Sequence, residues 1–184
     1  TGIVLQLEAA EQILDESPSE VAGHLDKAKT LGRHCLQEAR RSVWDLAPKA
    51  LEEQPLVDAL PEEIRRWGES GEEAATFTLV GDKRELHPTV QRTLLRICQE
   101  SLANVRKHAR ASNVEVALAF YPDTVGLEVQ DDGQGFDRNN TRAVADAGGF
   151  GVTGMEQRAR LLKGTLDITT REGGGTAVQI RLPT

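Results

Sequence analysis

In the stretch "QESLANVRKHA", Glu100, Asn104 and His108 recur every fourth residue and Lys107 stands beside them. On a helix that spacing stacks a carboxylate, a neutral amide oxygen and an imidazole along one face. An acid, an oxygen ligand and a cation in one row suit Mg²⁺ with phosphate oxygens, because Mg²⁺ prefers oxygen and keeps several waters. A solvated helix face would carry the same residues. A second stretch, "TVGLEVQDDGQGF", alternates Val125, Leu127 and Val129 with polar or small residues, then ends on two acids and two glycines. Continuing that parity turns Asp131 inward and Asp132 outward. An inward carboxylate needs donors, since an unmade hydrogen bond costs about 1–3 kcal/mol. Gly133 and Gly135 would let a flat group such as an exocyclic amine approach. A tight solvated turn is the competing explanation. A third stretch, "AGGFGVTGMEQRARLL", places Gly148, Gly149, Gly151 and Gly154 before or at the opening of a helix, where backbone N–H groups can hold phosphate oxygens. The polar run 137–148 has the length of a mobile lid.

The elements that must position these residues follow from periodicity. Val90, Leu94, Ile97, Cys98, Leu102 and Val105 predict a helix from about Pro88 to Ala109. "ATFTLVGD" precedes it as a strand, "NVEVALAF" and "TVGLEVQ" follow, and "TLDITT" and "AVQIRL" form a hairpin around "REGGG". Helix, strand pair, loop, helix, strand pair is the pattern of an α+β sandwich, a mixed sheet covered by helices on one face.

The N-terminal part reads differently. Ile3, Leu7, Ala10 and Leu14 give one helical stripe. Val21, Leu25, Ala28, Gly32, Cys35, Ala39, Ser42 and Leu46 give another, from about Pro18 to Leu46. Ser17, Pro18 and Glu20 form its start signal. Two seams joined by a short turn predict an antiparallel hairpin, and two such hairpins predict a dimeric four-helix bundle. Packing on the downstream domain is the alternative. The division expected is 1–47 hairpin, 48–70 linker and short amphipathic helix (Val57, Leu60, Ile64, Trp67), and 71–184 α/β domain, with Pro48, Pro55 and Pro61 punctuating the middle segment.

Composition narrows the classes. A formal net charge of −7 over 184 residues disfavours a nucleic-acid surface. No apolar run spans a membrane and no signal peptide is visible. Cys35 and Cys98 lack CxxC spacing and read as reduced, partly buried thiols of a cytoplasmic protein, which leaves a membrane-anchored parent open. His24, His34, His87 and His108 show no metal-ligand spacing with them. There is no GxxxxGK[ST], and the glycine run does not open a βαβ unit.

In combination, "RICQESLANVRKHA", "VQDDGQGF", "GGFGVTGMEQR" and "GGGTAVQIRLP" resemble the N box and glycine boxes of the Bergerat-type (GHKL) ATP-binding domain. "CLQEARRSVWDLAP" resembles the end of the dimerisation hairpin of sensor histidine kinases that partner LuxR-type response regulators. The resemblance covers essentially the whole chain. It implies that Asp131 accepts a hydrogen bond from the adenine amine, supported by Thr176 through water, and that guanine is rejected. It implies that Asn104 ligates Mg²⁺, that Glu100 positions or polarises the attacking group, and that Lys107 and His108 lie near the phosphates. Gly133 and Gly135 would admit the nucleotide, and Gly149, Gly151 and Gly154 would shape the phosphate lid. The expected activity is transfer of the ATP γ-phosphate to a His, for relay to an Asp of a response regulator.

Family members carry a phosphoacceptor His followed by an acid. None of the four His here is, so the acceptor is expected upstream of Thr1. Gln157 stands where an acid is common. A related ATPase or protein-serine kinase of the superfamily, or a nucleotide-free dimerisation scaffold, are the alternatives; phosphotransfer chemistry separates the first, and absence of nucleotide binding would favour the second.

Overall fold

The computed structural model describes residues 2–14, 17–45, 50–136 and 149–184, and the chain divides into two compact units, Thr1–Leu46 and Ala47–Thr184. The first unit is a hairpin of α1 (Gly2–Gln12) and α2 (Pro18–Asp45). Ala10, Val21 and Ala28 are buried between them, and the His24 ring bonds Gln6 Oε1 at 2.9 Å. The two predicted stripes are only partly covered within one chain. Leu7 and Leu14 are 45% and 56% exposed, Leu25 is 39% exposed, and Cys35 is exposed as well. Two helices can cover only one side of each seam. The side chains of Ala39 and Ser42, and Leu46 itself, lie outside the described residues.

The second unit is built on a five-stranded mixed sheet in the order β1-β2-β3-β5-β4. Its strands are β1 (Ala74–Val80), β2 (Asn113–Phe120), β3 (Thr124–Asp131), β4 (Thr165–Thr170) and β5 (Thr176–Pro183). Only β1 and β2 are parallel, which requires the long crossover through a helix. The remaining neighbours pair antiparallel. This is the expected α+β fold, with β3 in the middle of the sheet.

The segment between hairpin and sheet contributes to the core. After the short α3 (Ala50–Glu53), α4 runs Leu56–Glu69 with Pro61 inside it. Leu56, Ala59, Leu60 and Ile64 are buried on one face, spaced three, one and four apart. An interior Pro costs about 3 kcal/mol. Burying each large aliphatic side chain returns about 1.5–3 kcal/mol, so three of them hold the helix through the proline. The Gln91 side chain ties α4 to its neighbour, accepting from Leu56 N–H at 2.9 Å and donating to Leu86 O at 2.8 Å.

The crossover helix α5 (Pro88–Asn104) starts on His87, whose ring accepts from Thr89 N–H at 3.3 Å, with Pro88 in the first turn. The whole predicted stripe from Val90 to Val105 is buried. The helix does not stay α-helical to Ala109, however. Val105–Ala109 form a π-helical turn, closed by Arg110 at φ 53°. Such turns are rare and concentrate at functional sites. Cys98 is completely buried rather than partly so, and burial pushes its thiol up to about 12. Helix α6 (Gly149–Leu161) then buries Met155 and Ala159 against the same core. No described helix is long and apolar enough to cross a membrane.

Candidate functional site

The end of β3 is where chemistry collects. Asp131 pairs in register with Val114 on one side and Thr176 on the other. The parity of the strand turns it inward, and it is only 6% exposed. Gly133 N–H donates to its Oδ1 at 2.9 Å. Burial is the main influence on this carboxyl and raises its pKa; hydrogen bonds from the backbone of Gly133 and Thr176 oppose the rise, and neighbouring Asp132 adds to it. Asp132 faces out and does a different job. Its Oδ1 accepts from Ser112 and Asn113 N–H at 2.8 and 2.9 Å, and Oδ2 accepts from Asn113 Nδ2 at 2.7 Å. These bonds, chiefly those from Asn113, lower its pKa.

The depressed carboxyl therefore stabilises the fold above the ordinary carboxylate range, and that contribution is lost as pH falls through its folded pKa. Asp132→Ala is expected to lower the thermal midpoint at neutral pH, with the gap from the native chain closing in acid. Melting curves across that range check this.

Two glycine-rich segments lock together beside Asp131. Gly173 N–H donates to Gln134 O at 2.7 Å and Gly175 N–H to Gly133 O at 2.8 Å. Thr170 Oγ1 accepts from Phe136 N–H at 3.0 Å and lies 3.2 Å from Thr176 Oγ1. On the other side, Gln134 N–H donates to Ala109 O at 2.8 Å and Gln134 Nε2 to His108 O at 2.7 Å. The "DDGQGF" loop thus holds the π-turn and the β4–β5 turn at once.

Backbone packing explains the glycines. A Cβ on Gly133 would meet the Ala109 carbonyl, and one on Gly135 (φ 59°) would meet that of Arg171. Gly175 has φ 73°, and a Cβ there would run into the Asp131 carbonyl. Gly175→Ala is expected to cost at least about 2 kcal/mol, from left-handed strain and overpacking together. Denaturant titration measures it.

A cavity of about 390 Å³ opens over this junction. Its apolar lining comes from Val129, Val152, Met155, Ile168 and Val178, with the buried Ser101 among them. Its polar lining brings together Asn104, Lys107, His108, Asp131, Gln134, Gly135 and Thr176. Seven of the side chains or glycines in play thus share one space, and six of them carry sequence-based assignments: Asn104, Lys107, His108, Asp131, Gly135 and Thr176. Glu100 and Gly133 are not on the wall. Glu100 is half-buried on α5 and its carboxylate abuts Gly151, where any Cβ would collide with it. Gly149, Gly151 and Gly154 lie within the first turns of α6, not in a loop before it. Gly148 and the lid stretch 137–148 lie outside the described residues.

The apolar walls and Gln134 escaped sequence reasoning. Val129 read only as an inward strand position, Ile168 and Val178 only as residues of a hairpin, and nothing in the sequence separates cavity wall from core. The donor set fits a cation that arrives with its anion: among the described residues no group of three or more His, Cys, Asp or Glu could hold a metal by itself. Asn104 offers one neutral oxygen, as Mg²⁺ bound mainly through phosphate and water requires.

Known protein families match both parts of the chain. Residues 89–184 match the family model of histidine kinase-, DNA gyrase B- and HSP90-like ATPases, and residues 1–51 match the HisKA_3 histidine kinase model. The chain is 30% identical over 183 residues to the signal transduction histidine-protein kinase/phosphatase DegS of Brevibacillus brevis, covering 99% of this chain and 46% of that protein. It is 32% identical over 183 residues to the histidine-protein kinase/phosphatase UhpB of Salmonella typhimurium, covering 99% of this chain and 34% of that one. It therefore spans less than half the length of these curated relatives. Among solved structures, the histidine kinase domain of the Erythrobacter litoralis EL346 blue-light activated histidine kinase aligns with a TM-score of 0.58 at 21% identity, covering 98% of this chain and 92% of that one. At that identity the likeness speaks to fold.

Proposed function

The chain belongs to the histidine kinase family, with an HATPase-type ATP-binding domain behind a HisKA_3 region, and from that premise we propose how its residues share the work. The adenine ring enters the apolar cavity and its amine donates to Asp131, with Thr176 assisting through water. Guanine presents a carbonyl there, and acceptor facing acceptor excludes it. Asn104 holds Mg²⁺, which neutralises charge on the phosphates, while Lys107 and His108 hold the phosphate oxygens. Gly149, Gly151 and Gly154 bring the first turn of α6 close to them. Glu100 positions or polarises the attacking imidazole. In phosphoryl transfer a protein mostly positions groups and balances charge, and this set does both.

The observation that carries this reading is the buried Asp131 carboxylate sharing one cavity with Asn104, Lys107 and His108. The γ-phosphate would pass to an acceptor His and then to an Asp in the receiver domain of a LuxR-type response regulator. The half-covered seams of α1 and α2 support a homodimer, since a second hairpin would bury Leu7, Leu14 and Leu25. We assign 1–47 to dimerisation, 48–70 to the connection and short helix, and 71–184 to catalysis, and we place the site in the cytoplasm, where ATP is.

The test uses a chain that carries an acceptor His followed by an acid, incubated with γ-labelled ATP. Label that is acid-labile, alkali-stable and passes to a receiver Asp supports the proposal. Acid-stable label on Ser would move the protein to the serine-kinase branch of the superfamily.

A further inference from the structure

Arg106 lies on the π-turn between Asn104 and Lys107, yet it points away from the cavity that its neighbours line. Its guanidinium stacks on the Trp67 ring, 4.2 Å from the centroid. Nη1 donates to Ser70 Oγ at 2.7 Å and Nη2 donates to Trp67 O at 2.6 Å. Glu73 Oε2 completes the set at 3.4 Å. Gly71 has no Cβ to give, and one there would collide with both Arg106 and Glu73. Every partner sits at or just past the C-terminal end of α4, where the negative end of the helix dipole favours a cation.

An exposed ion pair with Glu73 alone would contribute little. A stacked guanidinium that also donates through both of its terminal nitrogens to a helix end is a fixed geometry instead, and a lysine ammonium cannot reproduce it. The other end of α4 is seated in the core by Leu56, Leu60 and Ile64. Arg106 therefore carries that rigidity to a five-residue turn whose wider i→i+5 hydrogen bonding is intrinsically less favourable than an α-helix. From the opposite side the turn is held by Gln134, through the carbonyls of His108 and Ala109.

We propose that Arg106 is a positioning residue for the phosphate end of the bound nucleotide: by tying the π-turn to the end of α4 it keeps Lys107 and His108 turned to the cavity. This rests on the nucleotide reading of the site, and it adds a contact outside the cavity on which phosphate affinity depends. Val105 and Ala109 of the π-turn also line the cavity, but Asp131, Val129, Val152, Met155, Ile168 and Val178 stand on β3, β4, β5 and α6, so the adenine end should feel the clamp much less than the phosphate end.

Titrating adenosine, ADP and Mg–ATP into the native chain, Arg106→Met, Arg106→Lys and Ser70→Ala separates the two ends. Ligand-observed NMR serves for adenosine and calorimetry for the nucleotides. Arg106→Met is expected to weaken Mg–ATP by about tenfold and ADP by less, while adenosine changes by less than about twofold. Arg106→Lys should show the same pattern, because charge without the fork does not restore the turn. Ser70→Ala removes one acceptor and should give a smaller loss of the same kind, which keeps the proposal testable if Arg106→Met folds poorly. Equal weakening of adenosine and Mg–ATP would make Arg106 a general fold contact and overturn the proposal. Unchanged Mg–ATP affinity would overturn it too. Failure of the native chain to bind adenosine or ATP would instead remove the nucleotide reading on which it stands.

Discussion

Asp131→Asn is expected to reduce Mg–ATP affinity by about 100-fold or more, because it turns the hydrogen-bond pattern of a buried group against its ligand. The Asp131 Oδ1 is already committed to Gly133 N–H at 2.9 Å. An asparagine would keep its single carbonyl oxygen on that donor and present its NH₂ to the cavity. The adenine amine would then meet a donor in place of an acceptor. Guanine, with a carbonyl at the same position, would lose its disadvantage, so the ATP:GTP preference should fall toward parity.

The same substitution has a second signature. Burial raises the Asp131 pKa, so the native state binds a proton more tightly than the unfolded chain does. For an acid with a raised folded pKa, the favourable contribution exists at low pH and is lost as pH rises through that pKa. At neutral pH the ionised group is a burden on the fold, and a neutral amide is not. Asp131→Asn should therefore melt at or above the native temperature at neutral pH, with the advantage shrinking in acid. Calorimetry and melting curves together read both effects. Retained adenine selectivity in the variant would show that Asp131 does not read the base.

Glu100→Gln is the second large effect, and it should separate binding from chemistry. Glu100 does not line the cavity but abuts Gly151 on the first turn of α6. Glutamine has nearly the same shape and keeps that contact, so nucleotide affinity should stay within about threefold. It lacks the carboxylate charge proposed to position or polarise the attacking imidazole, and losing a side chain that acts on the attacking group in this way typically costs about 100-fold or more in rate. Phosphohistidine formation in a chain that carries the acceptor His, followed against Mg–ATP concentration, should show the fall in kcat with KM little changed. A native rate in the variant would leave Glu100 as a packing contact beneath Gly151.

The parts of this site visible in the sequence were those set by simple periodicity. Two-residue alternation in "VGLEVQD" was enough to turn Asp131 in and Asp132 out. The three-and-four spacing from Val90 to Val105 placed Glu100 and Asn104 on one helix, with His108 just beyond its end. The π-turn was not legible, because one extra residue per turn over Val105–Ala109 leaves no mark on an apolar stripe that is already ending. It matters to the site, since it sets where Lys107 and His108 point.

Gly133 and Gly135 were read as room for a ligand, whereas the neighbouring backbone already needs that room, as it also does at Gly175. Composition alone cannot tell the two demands apart. In the hairpin the heptad spacing was visible, but a pattern cannot say which half of a seam one chain covers, and Leu7 and Leu14 stay open. Pro61 punctuates a helix that the Val57, Leu60, Ile64 and Trp67 spacing already carried across it, and burial of Leu60 and Ile64 holds that helix together.

The central claim is that this cavity is an adenine-nucleotide site, and calorimetric titration of Mg–ATP into the native chain, with Mg–GTP alongside, tests it most directly. Saturable one-site binding of Mg–ATP, with Mg–GTP weaker by about 100-fold or more, is the predicted result. No heat of binding from Mg–ATP, or equal affinity for the two nucleotides, would contradict it.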